Sequence, residues 1–196
     1  MKEIIVASTN EGKIREIKAM LNSIGIEVKS LKDVFDKDVD IEETGTTFQE
    51  NALIKAQTIC NRIHKPVLAD DSGLEVDAMD GGPGIYSARF MGHNTSYDIK
   101  NQAIIDAVAG KERGARFVCA MALCIPDEKP ILIEEYFNGE IYDHIEGENG
   151  FGYDPIFYVP ELGKTSASLT LEEKNQYSHR AKALKKLYKI LKERLS

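Results

Sequence analysis

Several stretches of this chain carry side chains suited to phosphate chemistry. The first is "ASTNEGK", residues 7–13, which follows the apolar run Ile4-Ile5-Val6-Ala7 and opens an amphipathic pattern. A strand, a turn and a helix in that order place backbone N–H groups and a positive dipole end where phosphate is commonly held. Ser8, Thr9, Asn10 and Lys13 add hydroxyls, an amide and an ammonium there, with Glu11 and Gly12 between them. A Walker loop is excluded, because Ala7 replaces its first glycine and Ile14 its metal-binding hydroxyl. The plain alternative is a strand-to-helix turn with Asn10 as cap and Lys13 solvated.

The second stretch is "LADDSG". Asp70 and Asp71 are expected to close a short buried strand, where open α/β sheets bind ligands. Adjacent carboxylates repel unless a cation sits beside them. Mg²⁺ suits, since it takes one or two carboxylates and leaves its other positions to water and phosphate oxygens. An Asx-turn is the other explanation. Upstream, Glu42 and Glu43 precede Gly45, either as a solvated loop or as further ligands. Lys55 falls at the edge of an apolar helical face, placed either to present its ammonium to a cleft or to snorkel at the surface. In "GFGYDP", glycines let backbone approach a flat ligand, and Phe151 or Tyr153 can stack on a base. In "EEKNQYSHRAKAL", Lys174, His179 and Arg180 surround the start of the last helix, with Ser178 as N-cap. Cations in a first helical turn oppose the macrodipole, so a ligand anion or carbonyl would explain them; a basic surface cluster is the alternative.

The elements that must position these groups follow from periodicity. Strands are expected at 4–7, 27–31 and 66–69, the last ending in the aspartate pair, and at 115–125 and 131–137. Helices are expected after Gly12, from Thr47 (a capping box with Glu50), and over 96–108. A last helix carries Ala181, Leu184, Leu187 and Leu191 on one side. Residues 81–90 and 147–155 are glycine-rich loops, and Asn138-Gly139 marks a turn or bulge. Helices alternate with strands early and paired strands come later, which gives an α/β fold with a mixed twisted sheet flanked by helices, in two lobes.

Composition narrows the partners. A formal net charge of −7 argues against a nucleic-acid polymer, whose binders carry a basic stripe, but not against a single nucleotide whose charge a metal offsets. No apolar run approaches the ~20 residues of a membrane helix, and the N-terminus is too short in its apolar part for a signal peptide, so the expected location is cytoplasmic. The three cysteines, Cys60, Cys119 and Cys124, form no C-x-x-C pair and are expected as buried thiols.

Taken together, "STNEGK", "EETGTTFQENALIKA", "LADDSGLEVDA", "GGPGIYSARF", "GFGYDPIF" and "EEKNQYSHRAKAL" resemble, in order and over nearly the whole chain, the inosine triphosphate pyrophosphatases. Thr9 departs from the glycine of many members. The resemblance implies hydrolysis of non-standard purine triphosphates (ITP, dITP, XTP) between the α and β phosphates, with Mg²⁺, in a homodimer. It implies a single pyrophosphatase domain over 1–196, with the active-site cleft between the lobes. Ser8, Thr9, Asn10, Glu11, Gly12 and Lys13 would cradle the triphosphate, assisted by Lys55. Glu42, favoured over Glu43 by its spacing to Gly45, would hold the metal with Asp71. Asp71 would also be general base, supported by Asp70. Ser72, Phe151, Gly152, Tyr153, Asp154, Lys174, His179 and Arg180 would form the substrate pocket. Two rivals remain: the same chemistry on another base, and a nucleotide sensor that does not hydrolyse.

Overall fold

The computed structural model describes residues 1–37 and 39–195. Its first strand, β1 (Glu3–Val6), is buried over Ile4, Ile5 and Val6 and leads into α1 (Glu11–Asn22). Asn10 caps that helix, its Oδ1 accepting from the Lys13 backbone N–H at 3.1 Å. The chain returns through β2 (Glu27–Ser30), passes the acidic segment, and enters α2 (Phe48–Ile63). Thr47 accepts from the Glu50 N–H as expected, while the Glu50 carboxylate reaches back to Thr46. Then come β3 (Val67–Val76), α3 (Tyr97–Ala107), β4 (Gly114–Cys124) and β5 (Ile131–Ile141). Short strands β6 (Phe157–Val159) and β7 (Lys164–Thr165) precede α4 (Leu171–Tyr177) and α5 (His179–Leu195).

The expected α/β class holds, with a mixed sheet in the order β2-β1-β3-β4-β5-β6-β7. β1 pairs in parallel with both β2 and β3, whereas β6 pairs antiparallel with β5 and β7. Because β1 connects to β2 on one side and has β3 on the other, it stands at a topological switch point. Ligands of open α/β sheets bind beyond the strand ends at such points.

Contacts divide the chain into two compact units. The first combines Met1–Asp71, Cys119–Glu135 and the segment from Ala183 onward; the second combines Ser72–Val118 and Tyr136–Lys182. The core of the first joins Ile4, Val6, Ile17, Leu21, Leu68, Met121 and Leu123 to Leu184, Leu187 and Leu191 of α5. Each such side chain contributes about 1.5–3 kcal/mol when fully buried. The core of the second collects Leu74, Val76, Ile104, Val108, Phe117, Phe137 and Phe157. All three cysteines are buried and free, and Cys119 belongs to the first core.

Three expectations change. β3 does not end at the aspartates but runs on to Val76; its parallel pairing to β1 stops at Leu68, so Asp70 and Asp71 still stand past the end of that pair. Asn138-Gly139 is no turn but lies inside β5. A Cβ on Gly139 would come 2.5 Å from the Tyr158 carbonyl oxygen, so the glycine there permits a close approach of β6. A helix that was not expected, α4, precedes the last one, while Ser178 adopts extended backbone and caps α5 as expected, accepting from the Ala181 N–H at 3.2 Å.

Candidate functional site

In the first unit, β1 and β3 deliver two clusters of charge to the same strand ends. Lys13 Nζ lies 3.1 Å from Asp70 Oδ2, so Lys13 is not a solvated turn residue. Asn10 serves as the cap and its N–H donates to Ser8 Oγ at 3.2 Å, which fixes the shape of the loop. Thr9 and Glu11 are exposed, and Gly12 is half-buried. A cavity of about 600 Å³ lies along this loop, bordered by Ser8 and Thr9. Its rim mixes Arg15, Lys18, Lys32 and Lys37 with Glu11, Asp33 and Asp36, so it has no strong charge preference of its own.

Lys55 is the hub of the second cluster. Its Nζ lies 2.6 Å from Glu43 Oε1 and 3.6 Å from Asp71 Oδ1. It is therefore not a snorkelling surface residue. Asp71 is 7% exposed, and burial pushes its carboxyl above the usual carboxylate range; the Lys55 ammonium opposes this and the Glu43 carboxylate adds to it. Burial works against the Lys55 ammonium, yet Asp71, Asp70 and Glu43 outweigh it and hold its pKa above the ordinary lysine value. The two shifts differ in cause, burial at Asp71 and neighbouring carboxylates at Lys55; within these ion pairs Asp70, Asp71 and Glu43 set three carboxylates against two ammonium groups, an excess of negative charge.

That excess fits a divalent cation. Asp71 Oδ2 is buried without a well-formed hydrogen bond, although the Asn51 amide is close enough to favour the ionised carboxylate slightly. No cluster of three or more His, Cys, Asp or Glu side chains is assembled among the described residues. Mg²⁺ requires only one or two carboxylates, with waters and phosphate oxygens completing its shell. Glu42, the ligand implied by the resemblance, is exposed, and its neighbour Glu43 is the one set against Lys55.

Asn51 was missed by sequence reasoning. It is fully buried on α2, one turn before Lys55 on the same face. Its Oδ1 accepts from the Gly45 N–H at 2.8 Å and so fixes the end of the acidic segment. A Cβ on Gly45 would sit 2.7 Å from that oxygen, so only glycine allows the approach. The available signal was an asparagine inside the periodic apolar face Phe48, Ala52, Ala56.

The second unit gathers the other predicted residues. Arg180 Nη2 donates to Ser72 Oγ at 3.0 Å. Arg180 and Lys174 both stand over the half-exposed Phe151 ring, at 5.7 and 5.5 Å from its centroid. His179 stacks on Phe117 at 5.0 Å. Asp154 is buried and saturated: its carboxylate accepts from Lys174 Nζ at 2.7 Å, Ser166 Oγ at 2.7 Å and the Phe151 N–H at 2.9 Å. Tyr153 is buried as well, and its hydroxyl donates to the Ser87 carbonyl at 2.6 Å. Burial pushes that phenol well above its ordinary range, so it remains a donor. Asp154 and Tyr153 therefore hold the loop, leaving Phe151 as its outward aromatic.

The Ham1 family model matches residues 4–190, nearly the whole chain. The chain belongs to the Ham1 family. It is 51% identical over 191 residues to the dITP/XTP pyrophosphatase of Geobacillus kaustophilus, covering 95% of this chain and 93% of that protein. Identity to the Bacillus subtilis dITP/XTP pyrophosphatase is 46% over 97% of this chain and 98% of the relative. The Staphylococcus aureus Ham1 protein has the same fold, with a TM-score of 0.91 at 43% identity over 98% of this chain and all of that one. Among the described residues no helix is long and apolar enough to cross a membrane.

Proposed function

We propose that the chain is a dITP/XTP pyrophosphatase that hydrolyses ITP, dITP and XTP between the α and β phosphates, releasing a monophosphate and pyrophosphate. The observation that carries this is the buried Asp71 carboxylate, ringed by Lys55, Glu43 and the Lys13–Asp70 pair at the switch point of a parallel sheet. In this reading a single enzyme domain over 1–196 takes one nucleotide. Its phosphates meet Ser8, Thr9, Asn10, Glu11, Gly12, Lys13 and Lys55, and its base meets Ser72, Phe151, Gly152, Lys174, His179 and Arg180.

Asp71 and a carboxylate of the 42–43 pair would hold magnesium, which when bound would supply charge neutralisation for the phosphates. Glu43 is favoured for that pair by its place beside Lys55 and Asp71. Asp71 takes a proton from the attacking water, a task favoured by the raised pKa that burial gives it. The water oxygen bonds to the α phosphorus, the bridge to the β phosphate breaks, and pyrophosphate leaves with the bonding electrons. Asp70 holds Lys13 in place and Lys55 keeps its positive charge throughout. In the base pocket, Arg180 donates to the 6-oxo group of hypoxanthine or xanthine, which adenine lacks. A site built around such a donor disfavours a 6-amino base, since its polar groups would go unpaired.

The enzyme works in the cytoplasm as a homodimer in this reading. Pyrophosphate and orthophosphate release from XTP, dITP, ITP, GTP and ATP, with and without Mg²⁺, tests the whole assignment. Mg²⁺-dependent pyrophosphate from the first three is expected. Orthophosphate as the sole product, or equal turnover of ATP, would overturn it.

A further inference from the structure

Helix α3 contributes no residue to the site described above, yet its first turns are polar where a core helix should be apolar. Tyr97, Lys100 and Asn101 share one face at the i, i+3, i+4 spacing, one turn before Ile104 and Ile105 enter the core. Lys100 and Asn101 are each 1% exposed. A buried ammonium costs several kcal/mol unless it is well paired. The Lys100 Nζ donates to the Ala88 carbonyl at 2.8 Å and stands 4.9 Å over the Tyr97 ring, with no ion pair to a carboxylate among the described residues. Such an arrangement makes poor sense for stability alone.

Each of these side chains touches a loop. Asn101 Nδ2 donates to the Gly152 carbonyl at 3.2 Å. Tyr97 packs edge-on against Tyr153 at 5.2 Å and lies against Gly152, where an added Cβ would be 3.6 Å from its ring. Lys100 grips Ala88, next to the Ser87 carbonyl that the Tyr153 hydroxyl reaches. Ser87 Oγ in turn accepts from the Leu74 N–H at 2.9 Å and donates to the Gly84 carbonyl at 2.6 Å. Segments 84–88 and 151–153 are thus held to one another and to a single rigid helix. Gly152 follows Phe151 directly and has a φ of +69°, a backbone state that favours glycine. The carbonyl that Asn101 holds lies in the peptide joining Gly152 to Tyr153, one residue from the Phe151 ring over which Arg180 and Lys174 stand.

We propose that the polar face of α3 positions the base pocket: Asn101 sets the Gly152 peptide and hence Phe151, while Lys100 fixes the 87–88 segment on which Tyr153 rests. These are positioning residues, since none reaches the base itself. The inference rests on Phe151 and Arg180 forming the base pocket.

The test separates the two ends of the nucleotide. Competitive inhibition by XMP probes the base end, and inhibition by tripolyphosphate probes the phosphate end alone. In Asn101→Leu and the isosteric Asn101→Asp, the XMP inhibition constant and the KM for XTP are expected to rise about tenfold, the effect of one buried hydrogen bond. The tripolyphosphate constant and kcat should stay within about threefold, and the preference for XTP over GTP should narrow. Lys100→Met should shift the same quantities in the same direction. A merely structural role would lower the active fraction and melting temperature without moving either inhibition constant, and that result overturns the proposal. So does equal weakening of both inhibitors. Arg180→Gln in the same assay guards the underlying assignment. If it leaves XMP inhibition unchanged, the base pocket itself is misplaced; if it weakens XMP while Asn101→Leu does not, only the positioning role falls.

Discussion

Two helices do similar work with opposite electrostatics. On α2, Asn51 holds the Gly45 N–H and Lys55 faces Glu43 and Asp71. On α3, Asn101 holds the Gly152 carbonyl and Lys100 faces a carbonyl and an aromatic ring. Both helices turn an asparagine and a lysine toward a loop. The α2 lysine lies among carboxylates that outnumber the neighbouring ammonium groups, and its surroundings are strongly polarised in the way that proton transfer and metal binding require. The α3 lysine has no carboxylate partner among the described residues and is held by a loop carbonyl and an aromatic ring. One region concentrates charge, and the other ties two loops to a helix.

This contrast predicts that substitutions in the first unit remove activity at little cost in stability, and that those in the second do the reverse or alter selectivity. Asp71→Asn should show the largest effect, a loss of about 10³-fold in kcat, within the range for removing a general base. Binding of XTP and the denaturation midpoint should change little; full turnover by Asp71→Asn would end the catalytic assignment. The pH profile carries a linked expectation. The base must be ionised, so activity is present above its folded-state pKa and disappears as pH falls through it. Burial raises that pKa and a bound Mg²⁺ would lower it, so the acid limb of kcat/KM should move to lower pH as Mg²⁺ is raised.

Asp154→Ala should behave oppositely. It leaves Lys174 buried without its carboxylate, which costs about 3–5 kcal/mol, read as a lower denaturant midpoint. An unchanged midpoint would mean the loop is held by other contacts. Arg180→Gln is next in size. Loss of a charge-assisted hydrogen bond of about 1.5–3 kcal/mol should lower kcat/KM for XTP by about 10- to 150-fold. ATP turnover should barely respond, and a uniform fall for every base would remove Arg180 from base recognition. The smallest effect sharpens the metal assignment. Glu43→Gln should raise the Mg²⁺ concentration for half-maximal activity by about tenfold, as expected for weakened support of a metal site. Glu42→Gln should raise it less; the reverse order would return the role to Glu42.

How much of this was legible before folding differs by residue. Lys13, Asp70, Asp71 and Lys55 stand out because charged side chains beside apolar runs need an explanation, and the fold supplies one for each. The cysteines read correctly as buried thiols; burial pushes Cys124 up to about 11, with Cys60 nearby adding to it. Asn138-Gly139 misled, because a dipeptide that favours turns also suits a strand position where another backbone presses close. The polar faces of α2 and α3 went unread, because periodicity marks which positions are buried but not what each one touches.

Local patterning was enough to place β1 to β5, α1 to α3 and α5, the apolar faces that are buried and the types of residue available for phosphate chemistry, but not β6, β7 or α4. Those follow from local backbone preference and from apolar spacing, which act over a few residues. Only the tertiary structure decided that Glu43 rather than Glu42 faces Lys55, that Asp154 is spent on Lys174 and Ser166, and that Asn101 meets Gly152. These contacts join residues far apart in the chain. They depend on which direction a side chain leaves its element and on what another element brings within about 3 Å, the reach of a hydrogen bond.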